Sequence, residues 1–107
     1  MANKIKVGIV GGAGYTGGEL IRILLNHPAA EIVFVRSKSN AGNYLYSVHQ
    51  DLLGETDMKF SAEMSAGIDV LFLCVGHGEA KQFLQKNEIA PYIKIIDLSQ
   101  EFRLGEE

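Results

Sequence analysis

Six of the chain's twelve glycines (Gly8, Gly11, Gly12, Gly14, Gly17 and Gly18) fall between positions 8 and 18 of a 107-residue sequence. Clustering this local marks a site, because glycine is useful where backbone must turn sharply or let another group come close. Gly12-Ala13-Gly14-Tyr15-Thr16-Gly17 reads G-x-G-x-x-G, while Gly11, Gly14 and Gly17 read G-x-x-G-x-x-G; the second register is favoured. The chemistry is the same in both. One residue without Cβ allows the turn, a second lets backbone approach a diphosphate, and a third lets helix pack on strand. The helix N-terminus then offers free N–H groups and the positive end of its dipole. An apolar strand pattern precedes this segment and a helix pattern follows it, the context in which such a motif signals dinucleotide binding. Gly11, Gly12, Ala13, Gly14, Tyr15, Thr16 and Gly17 are therefore candidate cofactor-binding residues.

The end of the second strand bears on which dinucleotide. NAD sites place an acidic residue there for the ribose 2′-OH, whereas NADP sites offer groups that accept a 2′-phosphate. Here the segment is Arg36-Ser37-Lys38-Ser39, with two cations, two hydroxyls and no carboxylate, and Glu31 lies at the opposite end of the strand. NADP is the cofactor expected. Gly76 and His77 follow the third strand and could line the same cleft; Ser99 and Asp97 end the last strand, where a turn role and a cofactor contact are both open. Cys74 lies within an apolar strand without a basic neighbour, so a buried, inert thiol is expected. His27 reads as surface and His49 falls in an unpatterned stretch. No histidine, cysteine and carboxylate cluster has ligand spacing, so no metal site is expected.

Four strands must position these loops. Ile5 to Val10, Ile32 to Val35, Val70 to Val75 and Ile93 to Ile96 are apolar runs of the kind buried on both faces of a parallel sheet. Leu20 to Leu25, stopped by Pro28, and Ala80 to Leu84 carry apolar residues at helical spacing. Residues 36–44 read as loop. Residues 45–67 are weakly patterned, with a short strand expected around Met58 to Phe60. Strands alternating with helices imply an α/β fold: a Rossmann-type, doubly wound, mostly parallel sheet with right-handed crossovers, forming one domain over residues 1–107. Ligands of such sheets bind outside the carboxyl ends of the strands, where all the glycine-bearing and polar loops above would lie.

Composition agrees with a globular chain: 47% hydrophobic and 21% charged, with a net charge of −3. No basic run suggests nucleic acid or an anionic membrane as partner. The apolar segment after Lys4 and Lys6 breaks at Gly8 and Gly11, too short for a leader or a membrane span. One cysteine forms no internal disulfide, and a cytoplasmic location is expected.

On Val10 to Leu20, on Gly76-His77-Gly78 and above all on Asp97-Leu98-Ser99-Gln100-Glu101-Phe102-Arg103-Leu104, the sequence resembles the N-terminal part of the N-acetyl-gamma-glutamyl-phosphate reductases, relatives of aspartate-semialdehyde dehydrogenase. Tyr15-Thr16-Gly17 is distinctive of that glycine loop, and Arg36-Ser37-Lys38-Ser39 with Ala41-Gly42 is similar to its second-strand loop. Gly76 stands where the family usually has proline. The resemblance implies an NADPH-dependent oxidoreductase of arginine biosynthesis that reduces N-acetyl-glutamyl phosphate to N-acetyl-glutamate semialdehyde, working as a homo-oligomer. It also implies that the cysteine nucleophile, which takes the acyl group as a thioester, and the histidine base lie beyond Glu107. Cys74 does not match that cysteine's motif. No catalytic residue is therefore expected within this chain, which alone should bind coenzyme without turnover. Two other readings are a cofactor domain of an aspartate-semialdehyde dehydrogenase, against which Tyr15-Thr16-Gly17 and Phe102-Arg103-Leu104 argue, and a non-catalytic dinucleotide-binding module.

Overall fold

The structure is a computed structural model that describes residues 4–98; Ser99 and the segment after it lie outside the described residues. Its elements run β1 (Ile5–Val10), α1 (Tyr15–Leu25), β2 (Ala30–Arg36), β3 (Val70–Leu73), α2 (His77–Lys86) and β4 (Lys94–Asp97). The four strands form one sheet in the order β2-β1-β3-β4, every pair parallel. The chain steps from β1 outward to β2, then returns past β1 to β3 and continues to β4. The direction of winding thus reverses between β1 and β3, which opens a crevice at their carboxyl ends.

Side-chain alternation along the strands sorts the core into two faces. Val7 and Ile9 of β1 pack with Val35 and with Ile21 of α1 on one side. Val10, Leu71 and Leu73 pack with Ala80 and Phe83 of α2 on the other. Each helix covers its own face, as the doubly wound expectation requires. A bulge shifts the β1–β2 register between Val7 and Gly8, pairing Val7 with Ile32 but Gly8 with Phe34. The extra residue, Val33, lets Val33 and Phe34 both join the α2 side. Burying side chains of this size contributes about 1.5–3 kcal/mol each, and nine of the largest or most central (Val7, Ile9, Val10, Ile21, Val35, Leu45, Leu52, Leu71, Leu73) are at most 2% exposed.

The segment between β2 and β3 departs from expectation. Residues Met58 to Phe60 are not a strand. Lys59 forms a single antiparallel bridge with Tyr44, and Ser61 a single parallel bridge with Arg36. Two neighbours with opposed directions leave no ladder longer than one rung. The rest of the segment folds into short 3-10 turns at Lys38–Asn40, Leu45–Ser47 and Gln50–Leu52. Leu45, Leu52 and Phe60 insert into the α1-side core, so the segment works as a strap laid over α1 and the end of β2.

Both helices begin earlier than their apolar periodicity suggests, at Tyr15 and His77. Their first turns hold glycine and polar residues, which carry no hydrophobic repeat to read. β3 ends at Leu73, earlier than the apolar run, although the Cys74 N–H still donates to the Val10 carbonyl at 2.8 Å. β4 is less buried than its composition implies: Ile95 and Ile96 are 39% and 40% exposed. It is the last strand of the sheet, and its pairing partner among the described residues is β3 alone.

Candidate functional site

The turn from β1 into α1 is closed by backbone. Gly11 has φ +85°, a left-handed conformation that side chains resist. The N–H groups of Gly11 and Gly12 both donate to the carbonyl of Arg36, at 3.0 and 3.3 Å, tying the turn to the end of β2. A Cβ at Gly17 would lie 2.7 Å from the Gly11 carbonyl oxygen and 2.7 Å from the Gly12 Cα. A Cβ at Gly12 would run into Val35. At Gly14 the same Cβ would meet nothing within 4 Å.

These spaces match the three glycine roles in the favoured register: Gly11 turns, Gly17 brings helix to strand, and Gly14 borders open space. Gly14 is also the N-cap of α1 and supplies no side-chain cap, so the orphan N–H groups of the first turn face outward without a side-chain acceptor from that position. No acidic residue stands in that turn. Tyr15 is 82% exposed and Thr16 is exposed. Ala13 packs against the α1-side core.

An open cleft of about 510 Å³ lies between the end of β2 and α2. Gly11 and Arg36, Ser37, Lys38 and Ser39 form one wall; Glu79, Gln82, Phe83 and Lys86 form much of the other. The fold thus brings together five of the residues singled out from sequence. The Arg36 Nε–H donates to the Ala62 carbonyl at 3.2 Å, and its guanidinium carbon sits 5.5 Å from the centre of the Phe83 ring. This holds the cation against an apolar floor. Among the described lining residues three cations, Arg36, Lys38 and Lys86, face one carboxylate, Glu79, which gives the cleft a preference for anions.

Gly76 is the N-cap of α2, again without a side-chain cap. It lies outside the cleft wall, as do Gly14, Tyr15 and Thr16, at the carboxyl ends of the strands beside it. His77 is the first residue of α2. Ser99 lies outside the described residues. Burial pushes the Cys74 thiol up to about 11, so at neutral pH it stays protonated and is a poor nucleophile, as expected from sequence. His27 is exposed, its Nδ1 accepting the Ala29 N–H at 3.1 Å. No group of three metal-ligating side chains occurs among the described residues, nor any helix long and apolar enough to cross a membrane.

Two residues in contact with the candidate site escaped the sequence reading. The Asn40 side-chain amide donates to the Ser37 and Ser39 hydroxyls, at 3.2 and 3.4 Å, and so orients both. His49 is buried, and its Nε2 lies 2.7 Å from the Gly12 carbonyl oxygen. Neither residue belongs to a motif; only the strap's path over the turn brings His49 there. Nearby, Arg22 of α1 makes a two-pronged hydrogen-bonded ion pair with Asp51 and a second contact to Glu19 at 3.0 Å. The hydrogen bonds from Arg22 hold the Asp51 carboxyl below the usual carboxylate range.

A parallel sheet that reverses its winding beside an uncapped, glycine-lined helix N-terminus and a cationic cleft defines a dinucleotide-binding domain of Rossmann type. Residues 6–107 match the family model described as semialdehyde dehydrogenase, NAD binding domain. The chain belongs to this family, and its cofactor class is a nicotinamide dinucleotide. It is 54% identical over 101 residues to the N-acetyl-gamma-glutamyl-phosphate reductase of Bacteroides thetaiotaomicron, covering 94% of this chain and 31% of that protein. It is 53% identical over 100 residues to the enzyme of that name from Christiangramia forsetii, covering 94% and 31%. For Flavobacterium johnsoniae the identity is 52% over 103 residues, covering 96% and 32%. The chain thus spans about a third of the length of these relatives.

Proposed function

We propose that this chain is the NADP(H)-binding part, residues 1–107, of an N-acetyl-gamma-glutamyl-phosphate reductase. Identity above 50% to relatives of that name across nearly the whole chain supports the assignment. The observation that carries the coenzyme choice is the cleft wall Arg36-Ser37-Lys38-Ser39: cations and hydroxyls with no carboxylate where an NAD site keeps one.

The residues present fit such a group. Gly14 leaves open the space that a diphosphate needs, and the amides of the first turn of α1 supply its hydrogen bonds. Ser37 and Ser39, oriented by Asn40, and Lys38 and Arg36 suit the adenosine 2′-phosphate. Gly76 and His77 stand at the neighbouring strand end and, together with Ser99, which lies outside the described residues, suit the remainder of the dinucleotide. Bound there, the coenzyme supplies a hydride for reduction of an acyl phosphate to an aldehyde. This chain's own share is to bind and orient it; the covalent chemistry, the acyl-phosphate substrate and assembly into an oligomer belong to the rest of a longer protein. A domain of this kind works in the cytoplasm and needs neither nucleic acid nor membrane.

Calorimetric titration of the chain with NADPH and NADH tests the reading. NADPH is expected to bind at least about tenfold more tightly, since hydrogen bonds to a charged group contribute about 1.5–3 kcal/mol. Equal affinities would remove the NADP assignment, and binding of neither would remove the site.

A further inference from the structure

The strap residue His49 takes no part in the coenzyme contacts above, yet among the described residues it is the one polar side chain that is buried, 8% exposed. Two independent features converge on its ring. Its Nε2 lies 2.7 Å from the Gly12 carbonyl oxygen. A carbonyl only accepts, so Nε2 carries the proton and donates. The ring also fills the space left by the missing side chain of Gly18: a Cβ there would lie 2.7 Å from both Cε1 and Nδ1. Gly18 is outside every coenzyme-contact role of the motif, and the ring's seat accounts for it.

We infer that His49 is a positioning residue for the glycine turn, setting the orientation of the Gly12–Ala13 peptide and so the affinity for the dinucleotide. The inference rests on the coenzyme site proposed above. A trans peptide is planar, with its C=O and N–H on opposite sides. Drawing the Gly12 carbonyl inward to His49 therefore turns the Ala13 N–H away from the strap. Gly12 is buried, and a buried carbonyl without a donor is costly. Without His49 the peptide gains by rotating, which would carry a partial negative charge toward the anion and remove an N–H from it. The strap is held independently to α1 by Arg22 and Asp51, so the seat of His49 does not depend on coenzyme.

The test compares His49→Leu, which keeps bulk but has no donor, with His49→Gln, whose side-chain amide can reach the same carbonyl. NADPH affinity is read by calorimetry, and the Ala13 amide 15N shift is read in the ligand-free chain. Leucine should weaken NADPH binding about tenfold, the scale of one lost buried hydrogen bond, and displace the Ala13 resonance. Glutamine should bring both back toward wild type even though both variants melt earlier. Wild-type affinity in His49→Leu, or equal loss in the two variants, would overturn the role. Should neither variant fold, ring 15N shifts of the wild type decide: a proton on Nε2 supports the contact, and one on Nδ1 alone overturns it. Should the wild type bind no coenzyme, the proposed function fails, whereas the Ala13 shift still judges what His49 does to the turn.

Discussion

The chain makes the same local construction twice, and the two copies are not equivalent. At β1–α1 and at β3–α2 an apolar parallel strand runs into a glycine N-cap with extended backbone, Gly14 at φ −83° and Gly76 at φ −64°, and neither supplies a side-chain cap. Around the first turn, Gly11, Gly12, Gly17 and Gly18 are each hemmed in by neighbouring atoms, and only Gly14 is open. Around the second, Gly76 and Gly78 both border empty space. The first turn is wedged between the end of β2 and the strap; among the described residues the second has no such neighbour. Charge follows the same division. The first turn of α1 has no acidic residue, while that of α2 holds Glu79, which offsets the helix dipole and opposes an anion. Resemblance in backbone plan therefore does not make two anion sites: the packed, carboxylate-free turn is the one suited to a diphosphate.

The largest effect should come from filling a packed position. Gly17→Val would push a branched side chain into the backbone of Gly11 and Gly12, which cannot rotate aside as a side chain could. Overpacking of this kind costs roughly 1–3 kcal/mol and more where backbone must move. Chemical denaturation should show a strongly lowered midpoint or no cooperative transition. A midpoint equal to that of wild type would mean that α1 does not sit as close to β1 as described, and the contrast between the turns would lose its basis.

An intermediate effect, on binding alone, should come from the open position of the same turn. Gly14 has extended backbone that any residue adopts, so Gly14→Val should leave the circular dichroism unchanged and cost at most about 1 kcal/mol through its N-cap position. Coenzyme binding should nevertheless be abolished, because the added methyls would occupy the space beside the α1 amides. Retained binding would show that the open space at Gly14 is unrelated to any ligand.

This contrast also marks what could be read from sequence. The strands were legible because each is marked by a short, largely apolar run, interrupted only at Lys6 and Gly8 in β1 and at Lys94 at the start of β4, and the parallel, doubly wound arrangement followed from their alternation with helices. Gly11, Gly14 and Gly17 were legible because their spacing encodes a turn and its close approaches. Arg36 to Ser39 were legible because a strand end in this fold has a fixed relation to the glycine turn. The strap was not. Its buried residues, Leu45, His49, Leu52 and Phe60, are spaced by 3-10 turns and single bridges instead of a repeating period, so no pattern of 2 or 3.6 exposes them. His49 meets the Gly12 carbonyl across 37 residues, and Asn40 meets two hydroxyls that only the folded loop brings to it. The exposure of β4 was hidden for the opposite reason: its isoleucines look like core whether or not anything covers them.

The smallest effect, and the one that sharpens the contrast most, belongs to the second turn. Gly78 is the second residue of α2 and a Cβ there meets nothing within 4 Å. Gly78→Ala should therefore gain stability, by roughly 0.5–1 kcal/mol at most, because alanine gives up less backbone entropy on entering a helix. The gain should fall toward the lower end, since the first turn of a helix is only partly constrained by its hydrogen bonds. NADPH affinity should stay as in wild type, because the methyl adds no charge and no neighbour among the described residues competes for its space. A raised denaturation midpoint with unchanged affinity would show that Gly78 keeps clear of the dinucleotide; loss of affinity would instead give Gly78 the same ligand-facing duty as Gly14.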